Sequence, residues 1–305
     1  MILVKNEFYF LSKDGVTQIH GIEWIPEGEV TAVLQMCHGM VEYIDRYHDF
    51  ATYMAEQGVY VVGHDHLGHG KSVTSPEKLG YFSGNEGNWC VVSDIHQVRL
   101  MTEKKYPNVP YFMLGHSMGS FLVRQYLGQY SKGISGAIIM GTGEQPDVIL
   151  AAGKMICKMI GMVKGWNYRS AFINNMAIGG YEKKMGKAWL TKDKKVVEKY
   201  TSDPLCGFMF TVNAYYNMFS GMAIMNKQEK EAKTDKSLPL FFVAGADDPV
   251  GSMGKGVKNV VSLYQKQAYQ DVEMKLYPGD RHEILNELDK EVVYKDIFTW
   301  LENRK

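Results

Sequence analysis

Tyr111-Phe-Met-Leu-Gly115-His-Ser117-Met-Gly119-Ser120 decides the fold. Its first four residues form a short apolar run with turn residues behind it, which suits a buried strand of a parallel sheet. The run breaks into Gly-x-Ser-x-Gly and continues as Phe121-Leu-Val-Arg-Gln-Tyr-Leu127, apolar at helical spacing. Strand, glycine-flanked turn and helix are the setting in which Gly-x-Ser-x-Gly acts as a nucleophile elbow. The serine there takes a strained backbone conformation to expose its Oγ, and Gly115 and Gly119 leave room for the chain to pass closely. A serine hydroxyl is a weak nucleophile at neutral pH, so Ser117 needs a base and an orienting acid from elsewhere.

Upstream of the elbow, Glu7 to Ser12 and Ile19 to Ile25 read as strands joined by the polar turn Lys13-Asp14-Gly15. Thr31 to Cys37 is a third strand and ends in His38-Gly39-Met40. Arg46 to Gln57 has helical spacing and stops at Gly58, and Val59 to Gly63 is the next buried strand. A glycine-rich loop follows through Gly84 and Gly87, then a helix from Asn88 to Tyr106. Beyond the elbow helix come the strand Ala137 to Met140, the strand Leu238 to Ala244, a helix near Met253 to Gln267, the strand Val272 to Tyr277, and a helix Glu291 to Asn303. From the third strand onward this alternation predicts an α/β protein with a mainly parallel central sheet and helices on both faces. It is interrupted between Gly141 and roughly Asn226, where helical patterns rich in methionine and aromatics replace strands. The division expected is therefore a core of residues 1–141 and 226–305 with a helical cap, a candidate lid, over 142–225.

Composition narrows the function. The 305 residues are 45% hydrophobic and 22% charged, as in an ordinary globular protein. Lys+Arg and Asp+Glu each number 34, so charge gives no reason to expect a nucleic acid partner. Four cysteines, Cys37, Cys90, Cys157 and Cys206, lie far apart without a CxxC pair, which predicts reduced thiols, a cytoplasmic setting and neither a disulfide framework nor a zinc site. Met1-Ile-Leu-Val-Lys-Asn-Glu-Phe lacks a signal-peptide layout, and no apolar run approaches the roughly 20 residues of a membrane span.

With Ser117 as nucleophile, the α/β-hydrolase chain order asks for an acid and then a histidine, each just after a core strand. Among nine histidines only His282 follows the elbow, in the turn-rich loop Pro278-Gly-Asp-Arg-His282 after the last predicted strand. The strand ending at Ala244 runs into Gly245-Ala-Asp247-Asp248, where either aspartate can hold an imidazole tautomer. Asp280, two residues from His282 in one tight turn, is poorly placed to orient the ring. The oxyanion hole takes one backbone N–H from the residue after the nucleophile, Met118, and one from the loop after the third strand, Met40. His64-Asp65-His66-Leu67-Gly68-His69 imitates a metal cluster, but Gly68 stands where a ligating aspartate belongs, and a glycine-rich turn explains it without metal. Neither a metal nor another cofactor is expected. Lys154 to Lys164 places Met155, Ile156, Met159, Ile160, Met162 and Val163 on one side of a helix. That face can pack on the core, rest transiently on a membrane surface, or line an apolar slot for an acyl chain.

These motifs together resemble the α/β-hydrolases grouped as monoacylglycerol lipases and bacterial lysophospholipase-like proteins, which border on the serine aminopeptidases. The resemblance covers nearly the full length. It rests on His38-Gly-Met-Val-Glu42 with Arg46-Tyr47, His64-Asp-His-Leu-Gly-His-Gly-Lys-Ser72, Gly115-His-Ser-Met-Gly119, Gly245-Ala-Asp-Asp248 and Asp203-Pro-Leu-Cys-Gly-Phe208. It implies Asp248 as the acid, hence a triad of Ser117, Asp248 and His282 with Met40 and Met118 forming the oxyanion hole. It also implies a structural role for the histidine-rich segment, and hydrolysis of a small ester substrate, a single-chain lipid, through an acyl-enzyme. Met40-Val41-Glu42-Tyr43 departs from the smaller, glycine- and histidine-containing monoacylglycerol lipase pattern, which bears on the headgroup and leaves ester hydrolysis untouched. Two other classes remain to be separated: an iminopeptidase, which needs acidic groups such as Glu182, Asp193 or Glu198 to hold a substrate amine, and a binding protein without catalysis.

Overall fold

The computed structural model describes residues 4–84 and 86–305. The amino-terminal expectation for Met1 to Leu3, and position 85 of the glycine-rich loop, lie outside the described residues. Two strands, β1 (Val4–Leu11) and β2 (Gln18–Ile25), form an antiparallel hairpin on the Lys13-Asp14-Gly15 turn. Asp14 shapes that turn by accepting the backbone N–H groups of Val16 and Thr17, each at 2.8 Å. Then come β3 (Ala32–Cys37), α1 (His48–Glu56), β4 (Val59–His64), α2 (Gly87–Lys105), β5 (Tyr111–His116), α3 (Met118–Tyr130) and β6 (Gly136–Met140). The strands β3, β4, β5 and β6 are buried along their whole length, as continuous apolar runs require in a sheet covered on both faces.

Helices fill the interval to β7 (Leu240–Gly245): α4 (Asp147–Lys164), α5 (Ala171–Asn174), α6 (Gly180–Met185), α7 (Lys194–Ser202) and α8 (Val212–Lys230). A π-helical turn, Asn175–Gly179, joins α5 to α6, and a 3-10 turn, Gly186–Trp189, follows. The chain ends with α9 (Lys255–Lys266), β8 (Val272–Tyr277) and α10 (Lys290–Glu302). The eight strands run in the order β1-β2-β4-β3-β5-β6-β7-β8, parallel from β4 to β8, with β2 antiparallel to β4. After β3 the chain adds β4 on one side and returns to place β5 on the other. The carboxyl ends of β3 and β5 thus flank a topological switch point, where α/β sheets bind ligands.

The orientation of the α4 face, left open by its periodicity, is seen here. On α4 the predicted methionine face turns outward, with Met155, Met159 and Met162 at 60, 49 and 68% exposure. The buried face is instead Leu150, Gly153, Cys157 and Gly161. Small residues win that side because α8 and Trp166 approach too closely for methionine: a Cβ on Gly153 would stand 3.0 Å from the Phe219 ring, and one on Gly161 3.0 Å from Trp166. Helix α8 in turn packs on α3 and continues to Lys230, past the expected division at 225.

Candidate active site

Ser117 stands between β5 and α3 at φ 54° and ψ −118°, a conformation an L-residue tolerates only where its surroundings impose it. The surroundings here are backbone. A Cβ on Gly115 would meet the Gly119 carbonyl oxygen at 2.3 Å, and one on Gly119 would meet the Cys37 carbonyl oxygen at 2.0 Å. The elbow is thus pressed against the end of β3, and the Ser117 N–H donates to Met140 O at 3.0 Å. Met118 is the first residue of α3, so its N–H belongs to the set an α-helix leaves without an internal acceptor.

The loop after β3 closes over the elbow. An added Cβ at Gly39 would lie 3.2 Å from the Ser117 Cβ, and Met40 lines the same cavity as Ser117 and Met118. Glu42 sets this loop: its Oε1 accepts the Gly39 N–H at 2.7 Å and the Tyr47 hydroxyl at 2.8 Å.

Asp248 and His282 arrive from the loops after β7 and β8. His282 Nδ1 lies 3.0 Å from Asp248 Oδ2, both side chains being buried, while Oδ1 accepts the Val250 N–H at 2.8 Å. Asp247 is exposed, and its N–H pairs with Asp280 O. Asp280 is drawn the other way, to Lys192 Nζ at 2.9 Å, and burial pushes its carboxyl above the usual carboxylate range. Among the described residues His282 Nε2 has no hydrogen-bond partner, so the Ser117–His282 bond is not made in this structure. Both residues line one cavity of about 510 Å³, walled largely by apolar side chains such as Phe121, Leu150, Met176, Met218, Phe219 and Met222. The Trp189 ring covers His282 at a centroid distance of 5.1 Å.

Beneath lies a charged group whose partners were not legible in advance. Arg46 bridges Glu42 and Glu283, with Nη2 of Arg46 2.7 Å from Glu283 Oε2. His116 Nδ1 meets the Tyr47 hydroxyl at 2.7 Å, and its Nε2 donates to His282 O at 3.1 Å. Burial works against charge on Glu42, but Arg46 overrides it and holds the carboxyl well below its ordinary value. Burial also opposes protonation of His116, and Glu42 reverses the balance, raising it above the ordinary imidazole value. Sequence motifs contained Glu42, Arg46 and Tyr47, but Glu283, 237 positions from Arg46, is joined to them only by folding.

The histidine-rich segment is internal framework. Asp65 ties down His20 Nδ1 at 2.8 Å and the N–H groups of Ile44 and Lys71 at 2.9 Å each. Burial lowers His64 and His69 to about 3, so both are neutral. Among the described residues no group of three or more His, Cys, Asp or Glu side chains is arranged to hold a metal. The four cysteines are separate and buried, and no described helix is long and apolar enough to cross a membrane.

Known proteins resemble this chain over its length. A family model described as serine aminopeptidase, S33, matches residues 28–289. A monoacylglycerol lipase of Mycolicibacterium smegmatis is 26% identical over 97% of both chains. A monoglyceride lipase of Rattus norvegicus is 26% identical over 92% of this chain and 86% of its own. The crystal structure of a thermostable carboxyl esterase from Bacillus coagulans in complex with glycerol superimposes with a TM-score of 0.90 at 27% identity, covering 99% of each chain.

Proposed function

From the premise that this chain belongs to the family described as serine aminopeptidase, S33, and is a carboxylic ester hydrolase of α/β-hydrolase fold, we propose that it cleaves single-chain lipid esters through an acyl-enzyme on Ser117. One observation carries the mechanism: Asp248 fixes His282 through Nδ1 and leaves Nε2 unpartnered at the wall of the cavity that Ser117 also lines. His282 removes the hydroxyl proton as Ser117 Oγ attacks the ester carbonyl, and the Met40 and Met118 N–H groups hold the oxyanion. Collapse breaks the ester C–O bond, His282 gives its proton to the leaving alcohol, and water activated by the same imidazole frees the acid. Asp248 stays ionised and stabilises the imidazolium.

Residues 142–225 act as a cap whose α4 and α8 complete the acyl arm of the cavity with Ile149, Leu150, Met218 and Phe219. The outward methionines of α4, flanked by Lys158 and Lys164, fit a lipid–water boundary, and loss of cosedimentation with anionic vesicles in a Met155→Ser/Met159→Ser/Met162→Ser variant would bear this out. The expected setting of the protein is cytoplasmic.

Ser117→Ala is expected to keep the fold, by circular dichroism, and to abolish p-nitrophenyl butyrate turnover and fluorophosphonate labelling. Normal turnover in that variant sinks the assignment, and absence of labelling in the wild type favours a binding protein. The peptidase reading needs a carboxylate free to hold an amine. Glu182 reaches the cavity but is paired with Lys187, Asp193 caps α7 by accepting the Lys195 N–H at 2.8 Å, and Glu198 is exposed on α7. Rates on a medium-chain ester against a proline anilide separate the two.

A further inference from the structure

Of the eight described non-glycine residues at positive φ, two line the cavity, Ser117 and Val41. Ser117 takes that conformation as the nucleophile. Val41, at φ 54°, is the one β-branched residue of the eight, and branching at Cβ makes the left-handed region costly. Glycine would adopt the same turn without strain. Outliers of this kind persist only where their surroundings over-determine them, and they cluster at ligand sites.

Residues 200–207 supply those surroundings. The Val41 carbonyl accepts the Gly207 N–H at 2.9 Å, with a longer bond of 3.4 Å from the Tyr200 hydroxyl. Two residues on, the Tyr43 hydroxyl donates to Asp203 Oδ2 at 2.7 Å. Val41 so held is 5% exposed and stands at the cavity wall. Its neighbours say which part of a substrate it meets. The Arg46 guanidinium lies 4.8 Å from the centre of the Tyr200 ring and grips Glu283, the residue after His282. In the proposed reaction His282 protonates the leaving alcohol, and the Met40 N–H, just before Val41, holds the carbonyl oxygen. The alkoxy carbon of a bound ester thus belongs between the imidazole and the residue that follows Met40. The acyl arm is built elsewhere, on α3, α4 and α8.

We propose that Val41 is a specificity-determining residue whose isopropyl group narrows the leaving-alcohol side of the cavity, so that esters of primary alcohols are cleaved and esters branched at the alkoxy carbon are rejected. The inference rests on the ester-hydrolase reading above and narrows it by the shape of the alcohol. An unbranched alkoxy carbon carries only hydrogens past the wall, whereas a second carbon substituent meets a side chain that is doubly fixed. Branching at Cβ leaves Val41 stiff about χ1, and its backbone is pinned through the carbonyl to Gly207, so the wall does not yield as a methionine would. Selection by a clash against the wrong substrate needs such a rigid group. The strain at Val41 is then the cost of placing a branched side chain where glycine would leave the alcohol side open.

The test compares kcat/KM for butyl octanoate and sec-butyl octanoate by titration of the released acid. Both give one octanoyl-enzyme, so the ratio reads acylation alone, while the alcohol is still present. The wild type is expected to prefer the butyl ester about a hundredfold. Val41→Gly, which relieves the strain and removes the isopropyl group, is expected to lower that preference about tenfold. Val41→Ala, which keeps the Cβ and trims both methyls, is expected to fall between the two. A wild type that cleaves both esters at similar rates overturns the proposal. So does an equal change on both esters in either variant, which would make Val41 a support for the loop alone. If p-nitrophenyl butyrate is cleaved and neither octanoate is, the selection by Val41 fails and the ester-hydrolase reading stands. If no ester is cleaved, that reading falls and the proposal with it.

Discussion

Glu42 makes three contacts that no substitute reproduces together. It accepts the Gly39 N–H, which ties down the residue preceding Met40, it accepts the Tyr47 hydroxyl, and it shares Arg46 with Glu283 beside His282. Removing one partner of a buried charged group leaves the others uncompensated, so Glu42→Ala is expected to lose about 3–5 kcal/mol in urea unfolding. Glu42→Gln keeps an acceptor for Gly39 and removes the charge. It is expected to remain folded and to lose about tenfold in kcat with little change in KM, since in the proposed mechanism the Met40 N–H acts mainly in the transition state. An unchanged kcat would reduce Glu42 to a purely structural part. Gly119 tests the elbow itself. Its added Cβ would sit 2.6 Å from the Cys37 carbonyl carbon, a backbone atom that cannot rotate away, so Gly119→Ala is expected to abolish soluble folded protein on expression.

At the scale of elements, the β1–β2 hairpin is held to α2 through one carboxyl. Asp94 accepts the Ser12 hydroxyl at 2.6 Å and the Lys13 N–H at 2.8 Å, and burial, exceeding both, pushes it up to about 7. The folded state therefore holds a proton on Asp94 that the unfolded chain releases near the ordinary carboxylate value. Between that value and about 7 the folded state binds more protons, so this contribution to stability falls as pH rises and levels off above it. Asp94→Asn removes the titration. In urea unfolding at pH 5 and pH 8, the wild type is expected to lose about 3 kcal/mol or less relative to the variant, and parallel pH profiles would refute the buried-acid account. The elements themselves were largely legible. Tyr111 to Leu114 and Leu240 to Ala244 are apolar without interruption because both sheet faces are covered. Positions 171–189 were not, because four short turns of differing helical pitch follow one another there without a shared period. Which way the α4 methionine face turns stayed open for a related reason. Periodicity marks two faces, and only the contact with α8 decides that Gly153 and Cys157, not the methionines, turn inward.

Across the whole molecule, the loop carrying His282 is fastened to the helical segment around residues 188–192 as well as to the sheet. The Glu283 N–H donates to Leu190 O at 2.7 Å, Arg281 Nη1 donates to Ala188 O at 2.7 Å, and the Thr191 hydroxyl donates to Asn286 O at 3.0 Å. Lys192 and Asp280 add an ion pair. Any displacement of residues 188–192 is thereby passed to the imidazole, whose Nε2 stands unpartnered in this structure. Forming the Ser117–His282 bond is then a matter of how that segment settles when the cavity fills, a conformational step of the kind that sets kcat in lidded enzymes. The alternative is that these bonds serve stability alone. Arg281→Ala separates the two, because Arg281 is not among the described residues that line the cavity, yet anchors Ala188 next to the ring that covers His282. Coupling predicts a fall in kcat of about tenfold for p-nitrophenyl butyrate, with fluorophosphonate labelling slowed in proportion and the unfolding midpoint nearly kept. A lower midpoint with unaltered kcat would instead assign the contact to stability and detach the cap from the chemistry.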